Sequence, residues 1–212
     1  MAIEREIKLA LPADQVARVV AWLSALTGKA GEPIRLENRY FDTPSLTLAR
    51  AKSALRVRRT PDGWLQTYKT VGSASAAGLH NRHEWELPVA GNALDIDALL
   101  QACDDPASAD ALRAAAADLI PLFSTDFTRT LWNVTVDGAQ IEAAVDQGEV
   151  LADVDGETRR APIREVELEL KHGDEAALHT LSQQLMTDVA GLEPDTVSKA
   201  QRGYRLRDDQ QE

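Results

Sequence analysis

The sequence predicts an α+β protein in which helices pack against one large antiparallel β-sheet. Eight segments have strand character, and tight-turn chemistry at Pro61-Asp62-Gly63 and Asp137-Gly138 separates two pairs of them. Along several of these strands charged residues occupy one face and aliphatic residues the other. The helices between them carry apolar stripes, which we expect to be buried by packing against the aliphatic face of the sheet. The charged faces are therefore expected to lie together on the opposite side, which becomes an interior if the sheet curls closed.

The first strand is predicted over residues 2–10, where Glu4, Glu6 and Lys8 share one face. Pro12 then opens a helix, and Gly28 is suited to end it. The remaining strands are predicted over residues 35–42, 53–59, 64–71, 79–89, 122–136, 140–150 and 162–171.

Further helical segments lie between and after these strands. A short turn is expected over 46–51, and the helical region 93–117 is interrupted at Asp104-Asp105-Pro106. The stretch 72–78, made of Gly, Ser and Ala apart from its ends, predicts a flexible loop. A helix over 174–189 and a basic helical segment over 198–206 close the chain.

Composition narrows the class of protein. At 212 residues we expect a single domain spanning residues 1–212. The 34 acidic and 23 basic residues give a net charge of -11, which argues against a general nucleic-acid or anionic-membrane binder. Cys103 is the only cysteine, so an intrachain disulfide is impossible and a reducing cytoplasm is the expected location. No apolar run approaches the roughly 20 residues of a membrane helix, and the N-terminus lacks a signal-peptide pattern.

The acidic rows are a candidate metal site. Same-face neighbours on a strand lie roughly 7 Å apart, so one strand cannot surround an ion. To bind a metal ion, Glu4 and Glu6 would need further carboxylate ligands from an adjacent strand. The best candidates are the row Glu165, Glu167 and Glu169. Like charges 4 Å apart cost roughly 4 kcal/mol at an effective dielectric of about 20, so such a cluster demands a cation or a proton. A hard cation such as Mg²⁺ suits carboxylate and phosphate oxygens.

The cationic residues on the same strand faces require an anionic ligand to balance their charge. Arginine offers a planar fork and lysine a point charge, and both suit the oxygens of a phosphate chain. Acidic and basic rows together therefore fit a metal-bound polyphosphate. The cationic set is Lys8, Arg56, Arg58, Lys69, Arg82 and Arg129.

Five motifs in order give the chain a family resemblance. They are Glu4-x-Glu6-Ile7-Lys8, Tyr40-Phe41-Asp42-Thr43-Pro44, Leu55-Arg56-Val57-Arg58, Glu165-x-Glu167-x-Glu169 and Ser198-Lys199-Ala200. Over essentially its whole length the chain resembles the CYTH superfamily, the triphosphate tunnel metalloenzymes. The segments 121–127, 146–149 and 198–204 look most like the bacterial inorganic triphosphatase branch.

The resemblance implies a closed eight-stranded antiparallel β-barrel with helices packed outside, which binds a triphosphate with Mg²⁺ or Mn²⁺. The metal ligands it implies are Glu4, Glu6, Glu165 and Glu167, with Glu84 and Asp146 as further candidates. The phosphate-binding residues it implies are Lys8, Arg56, Arg58, Lys69, Arg82, Arg129 and Lys199. The catalytic set it implies is Glu4, Glu6, Lys8, Arg56, Arg58, Glu165 and Glu167.

The implied reaction is hydrolysis of inorganic triphosphate to diphosphate and phosphate. Thiamine triphosphatase and class IV adenylate cyclase are alternatives within enzymes, and a polyphosphate- or nucleotide-binding module is the alternative outside them. Bacterial members of this branch often carry a helical CHAD domain after the tunnel domain, and the sequence given has none, so it is expected to be a single-domain relative or a piece of such a protein. His80 and His83 are expected to be surface residues rather than ligands.

Overall fold

The computed structural model of the chain describes residues 2–70, 72–74 and 79–208. The strands are β1 (Ala2–Ala10), β2 (Glu32–Asp42), β3 (Ser53–Thr60), β4 (Gly63–Thr70), β5 (Ser73–Ala74), β6 (Leu79–Val89), β7 (Ile120–Val136), β8 (Ala139–Val154), β9 (Glu157–His172) and β10 (Glu193–Pro194). The α-helices are α1 (Val16–Thr27), α2 (Thr47–Arg50), α3 (Ile96–Ala102), α4 (Pro106–Ala115), α5 (Ala176–Asp188) and α6 (Lys199–Arg207).

Eight of the strands form a closed antiparallel barrel, as predicted. The order around it is β1, β9, β8, β7, β2, β3, β4 and β6, and β6 pairs with β1 to complete the ring. Strand β1 makes both closing contacts, with β6 through residues 2–7 and with β9 through residues 6–10. The two-residue strands β10 and β5 extend the edges of this ring by pairing with β1 and β6.

The predicted strands are all present, and two of them begin three or more residues earlier than expected. Strand β9 starts at Glu157 because Asp155 and Gly156 form a tight hairpin turn, with φ values of 52° and 84°. The sequence contains this Asp-Gly turn signal, but the polar residues that follow it lack the apolar alternation by which a strand is predicted. Strand β2 starts at Glu32 and pairs with β7 from there. The predicted loop 72–78 contains β5, and its residues 75–78 lie outside the described residues.

The helices cover the aliphatic outer face in two groups. Helices α1 and α5 pack on β1, β7, β8 and β9, where Leu23 and Leu181 are completely buried. Helices α2, α3 and α4 cover β3, β4 and β6 around Leu55 and Tyr68. Burying this apolar face fixes which strand face points inward, because side chains alternate along a strand. No helix in the described parts of the chain is long and apolar enough to cross a bilayer.

Helix α6 packs differently, against inward-facing side chains at one end of the barrel. Its Tyr204 contacts the ring of Phe123 edge-on, at a centroid distance of 5.1 Å. Gly203 makes this approach possible, since a Cβ there would lie 2.2 Å from Phe123 Cδ2. The inward-facing apolar residues at this end, the inner apolar cluster, are Leu36, Tyr40, Phe123, Phe127, Val150, Ala152 and Ile163. The first residue of α6, Lys199, consequently points into the charged part of the interior.

Candidate active site

The barrel encloses a cavity of about 960 Å³ whose wall is mostly charged. The charged side chains come mainly from β1, β3, β4, β6, β7, β8, β9 and α6. Two of these wall residues are deeply buried, since Glu6 is 3% exposed and Lys8 is 1% exposed, and Asp146 and Glu165, which contact the wall residue Lys199, are fully buried. Burial of this many ionised groups requires close pairing, because an isolated charge is costly to desolvate.

The register of neighbouring strands determines which charges meet. Lys8 on β1 lies opposite Glu167 on β9, and Glu6 lies opposite Glu169. On the other side of β9, Glu165 lies opposite Asp146 on β8. The row of glutamates on β9 is therefore adjacent to the β1 carboxylates, as the sequence predicted, and it gains an additional carboxylate from β8.

Asp146, Glu165 and Glu167 form the most compact acidic group, which we call the acidic triad. One ligand oxygen from each lies within 4.8 Å of the others. The Lys199 ammonium lies among them, 2.6 Å from Asp146 Oδ2 and 2.8 Å from Glu167 Oε1, and it also contacts Glu165. Arg129 donates two hydrogen bonds to Asp146, at 2.8 and 2.7 Å, and contacts Glu167.

A second acidic group lies on β1 and β6. Arg82 Nε lies 3.0 Å from Glu4 Oε2, and its guanidinium also contacts Glu6. Lys69 Nζ lies 3.3 Å from Glu4 and 3.4 Å from Glu84. Within the described ranges, these three glutamates do not join a ligand group as compact as the acidic triad. The six predicted metal ligands thus form two groups, one on β1 and β6 and one on β8 and β9, and β1 and β9 are neighbouring strands.

Three further cations line the cavity with weaker or no carboxylate contacts. Arg56 Nη2 lies 3.8 Å from both Glu84 and Glu86. Arg58 Nε donates to Asn38 Oδ1 at 2.7 Å. The Lys8 ammonium donates to the carbonyl oxygen of Val197, in the segment before α6.

Burial and neighbouring charges shift the pKa values of these groups in both directions. Burial raises the pKa of Glu165, reinforced by the negative charge of Glu167. Burial also opposes ionisation of Glu167, but the cations Lys199 and Arg129 hold its pKa well below the usual value. In the same way Lys69 and Arg82 outweigh burial at Glu4 and hold its pKa at about 2. Burial lowers the pKa of Lys8.

The acidic triad fits a hard divalent cation by its donor chemistry. It offers only carboxylate oxygens, brought together from two adjacent strands, and such oxygens are what Mg²⁺ and Mn²⁺ prefer. The ammonium group of Lys199 lies at its centre, so the three oxygens already converge on one positive charge. The residues present therefore fit a divalent metal ion, which the three carboxylates of the triad would hold.

Two residues at this site were not identified from the sequence. His80 was predicted to lie on the surface, but it is 3% exposed and lines the cavity, with Nε2 3.3 Å from the carbonyl oxygen of Asp195. The prediction was wrong because the isolated histidine lacks a motif, whereas its strand β6 turns it inward. Arg202 contacts Glu165 and Asp195 at 2.6 Å each. Its spacing of three residues after Lys199, one turn along α6, was the available signal.

The comparisons with known proteins agree with this architecture. An inorganic triphosphatase from Haemophilus influenzae is 34% identical over 206 residues, which is 97% of this chain and 55% of that protein. The chain thus spans about half the length of this curated relative. A putative adenylyl cyclase from Hippeastrum, reported to have a dominant triphosphatase activity, has a TM-score of 0.66 at 18% identity, over 96% of both chains.

A second solved structure has the same fold. A putative adenylate cyclase from Bacillus halodurans has a TM-score of 0.56 at 18% identity, over 94% of this chain and 96% of that one. At such identities both structures support the fold alone. The model of the CYTH domain matches residues 2–204, nearly the whole sequence. The chain therefore belongs to the CYTH domain family.

Proposed function

We propose that the chain hydrolyses inorganic triphosphate to diphosphate and phosphate inside the barrel, with Mg²⁺ or Mn²⁺ as cofactor. The observation that carries this proposal is a compact acidic triad that reaches the cavity through Glu167 and Lys199, beside the inward-facing arginines and lysines of the cavity wall. Membership in a family of metal-dependent tunnel enzymes supports the metal, and the Haemophilus relative named an inorganic triphosphatase supports the substrate.

In this proposal the carboxylates hold the metal. Asp146, Glu165 and Glu167 are the principal ligands because their oxygens converge. The glutamates of β1 and β6 are proposed to complete the site around the substrate: Glu4, Glu6 and Glu84. When bound, the metal would neutralise charge that develops on phosphate oxygens and would help to orient a water molecule.

The cations are proposed to bind the phosphates. Their guanidinium and ammonium groups supply donors to the non-bridging oxygens and hold the phosphate chain in line for attack by water. Phosphoryl transfer depends mainly on positioning and charge stabilisation, so a protein nucleophile is not required. The proposed phosphate-binding set is Lys8, Arg56, Arg58, Lys69, Arg82, Arg129 and Lys199.

The decisive assay measures phosphate release from inorganic triphosphate, ATP and thiamine triphosphate, each with Mg²⁺, with Mn²⁺ and with chelator. Fast release from inorganic triphosphate that stops in chelator is the expected result. Preference for thiamine triphosphate, or formation of cyclic AMP from ATP, would replace the proposal with one of the alternative activities. Tight binding of triphosphate without turnover of any substrate would instead indicate a binding module.

A matched pair of variants tests the metal assignment. Glu165 and Glu157 lie on the same strand, but Glu165 is fully buried in the triad whereas Glu157 is exposed. Glu165→Gln is expected to lower kcat for inorganic triphosphate by about 10²-fold or more, because a ligand that stabilises transition-state charge is lost. Glu157→Gln is expected to behave as wild type. Full activity of Glu165→Gln at every metal concentration would remove Glu165 from the metal site.

A further inference from the structure

Arg58 differs from the other arginines of the cavity because its side chain is hydrogen-bonded to a neutral amide and not to a carboxylate. Arg56, Arg82 and Arg129 each have a carboxylate within 4.0 Å, whereas Arg58 has none among the residues that the structure describes. Its one side-chain partner there is the amide oxygen of Asn38, 2.7 Å from Nε. Burial and the positive charges of Arg56 and Arg129 lower the pKa of Arg58, which agrees with a cation lacking close compensation.

Asn38 is held firmly in place. It lies on β2 between Leu36 and Tyr40 of the inner apolar cluster and is 3% exposed. Its Nδ2 donates to the Thr125 hydroxyl at 2.8 Å, and Thr125 is 1% exposed. The strand register places Asn38 directly opposite Arg58 on β3 and directly opposite Thr125 on β7. A buried amide in apolar surroundings is costly unless both of its ends are bonded, and here both are.

The amide has a property that a carboxylate would lack at this position. Asn38 accepts a hydrogen bond and so orients the guanidinium, but it adds no negative charge. An aspartate would orient Arg58 equally well and would neutralise it, as Asp146 does for Arg129. A phosphate approaching Arg129 must compete with that existing ion pair. A phosphate approaching Arg58 has no ion pair to displace.

We propose that Asn38 and Thr125 are positioning residues that keep Arg58 oriented and uncompensated, so that one phosphate of the substrate binds there without breaking an ion pair. This inference rests on the proposed function, since it assigns a task to a residue of the same phosphate-binding set. It predicts that affinity for triphosphate depends on the neutrality of residue 38 as well as on its hydrogen bonds.

The test compares Asn38→Asp with Asn92→Asp, which adds the same charge at an exposed loop position. Binding of inorganic tripolyphosphate is measured by calorimetry in chelator, together with thermal unfolding and steady-state kinetics. Asn38→Asp is expected to unfold no earlier than wild type, to bind about tenfold or more weakly, and to raise KM more than it lowers kcat. Asn92→Asp should bind as wild type. Equal affinities of Asn38→Asp and wild type would overturn the inference.

A second pair of variants tests the positioning role if Asn38→Asp does not fold. Thr125→Val removes the hydroxyl that accepts from Asn38, and Thr125→Ser keeps it. Thr125→Val should weaken tripolyphosphate binding about threefold to tenfold relative to Thr125→Ser, because an unpaired amide no longer fixes Arg58. Equal binding by this pair refutes a positioning role. Failure of the wild type either to bind or to hydrolyse tripolyphosphate when Mg²⁺ or Mn²⁺ is present would refute the proposed function itself, which separates the two conclusions.

Discussion

Replacing Lys199 by methionine perturbs the charge balance of the acidic triad directly. Three carboxylates face three cations there, since Lys199, Arg129 and Arg202 all contact them. Lys199→Met keeps a side chain of similar length and leaves one excess negative charge in a buried site. The variant should therefore be less stable than wild type in the absence of metal and more responsive to metal when it is added.

The magnitude follows from the distances. Two carboxylate oxygens 4.8 Å apart, the limit within the triad, repel by about 3.5 kcal/mol at an effective dielectric of about 20. Removing one partner of a buried ion pair costs about 3 to 5 kcal/mol by the same reasoning. For a chain of this size that corresponds to a fall in Tm of about 10 °C. A divalent ion replaces the missing charge, so Mg²⁺ should recover much of the loss.

The assay is thermal unfolding at pH 8 in chelator and at increasing Mg²⁺, with Lys171→Met as the control. Lys171 is on β9, the strand that carries Glu165 and Glu167, but its side chain is 43% exposed and pairs with Glu169 at 2.8 Å. Its replacement should cost less than about 1 kcal/mol and leave the Mg²⁺ response unchanged. The reasoning fails if Lys199→Met is as stable as wild type in chelator, or if Mg²⁺ raises the Tm of both proteins equally.

Two further predictions concern the position of α6 and the phosphate-binding arginines. Gly203→Ala should destabilise the protein by about 1 to 3 kcal/mol in denaturant titrations, because the new Cβ lies 2.2 Å from the Phe123 ring. Adding Phe123→Leu should restore part of that stability, and additive losses would contradict the clash. Arg56→Ala should lower kcat/KM for inorganic triphosphate by about 10²-fold, whereas Arg59→Ala, on the outer face of the same strand, should not. Equal kinetics of these two variants would remove Arg56 from the site.

The barrel and its charged interior could be predicted because alternation along a strand is a local property. The spacing of Glu4, Glu6 and Lys8 requires that they share a face whatever the partner strand is. The hairpin at Asp137 and Gly138 likewise follows from local turn chemistry, and both residues have positive φ values. The apolar faces and the helices that cover them then determine which side is inside.

The composition of the acidic triad could not be predicted, because it depends on strand order and register. Nothing local indicates that β9 lies between β1 and β8, so the sequence could not favour Asp146 over Glu4 as the partner of Glu165. The same holds for Asn38, whose role depends on two long-range pairings, with Arg58 and with Thr125. An asparagine between apolar residues has no distinctive pattern on its own.

The ion pairs across the cavity bear on how metal and substrate would bind under the proposed function. Phosphate alone would take cations such as Arg129 from their carboxylates and leave buried negative charge, and metal alone would leave buried cations such as Lys199. Each ligand supplies the partner that the other one displaces. Binding of metal and triphosphate should therefore be mutually favourable by thermodynamic linkage, because together they exchange one set of paired charges for another. Arg58, held by a neutral amide, offers a phosphate a cation with no ion pair to break.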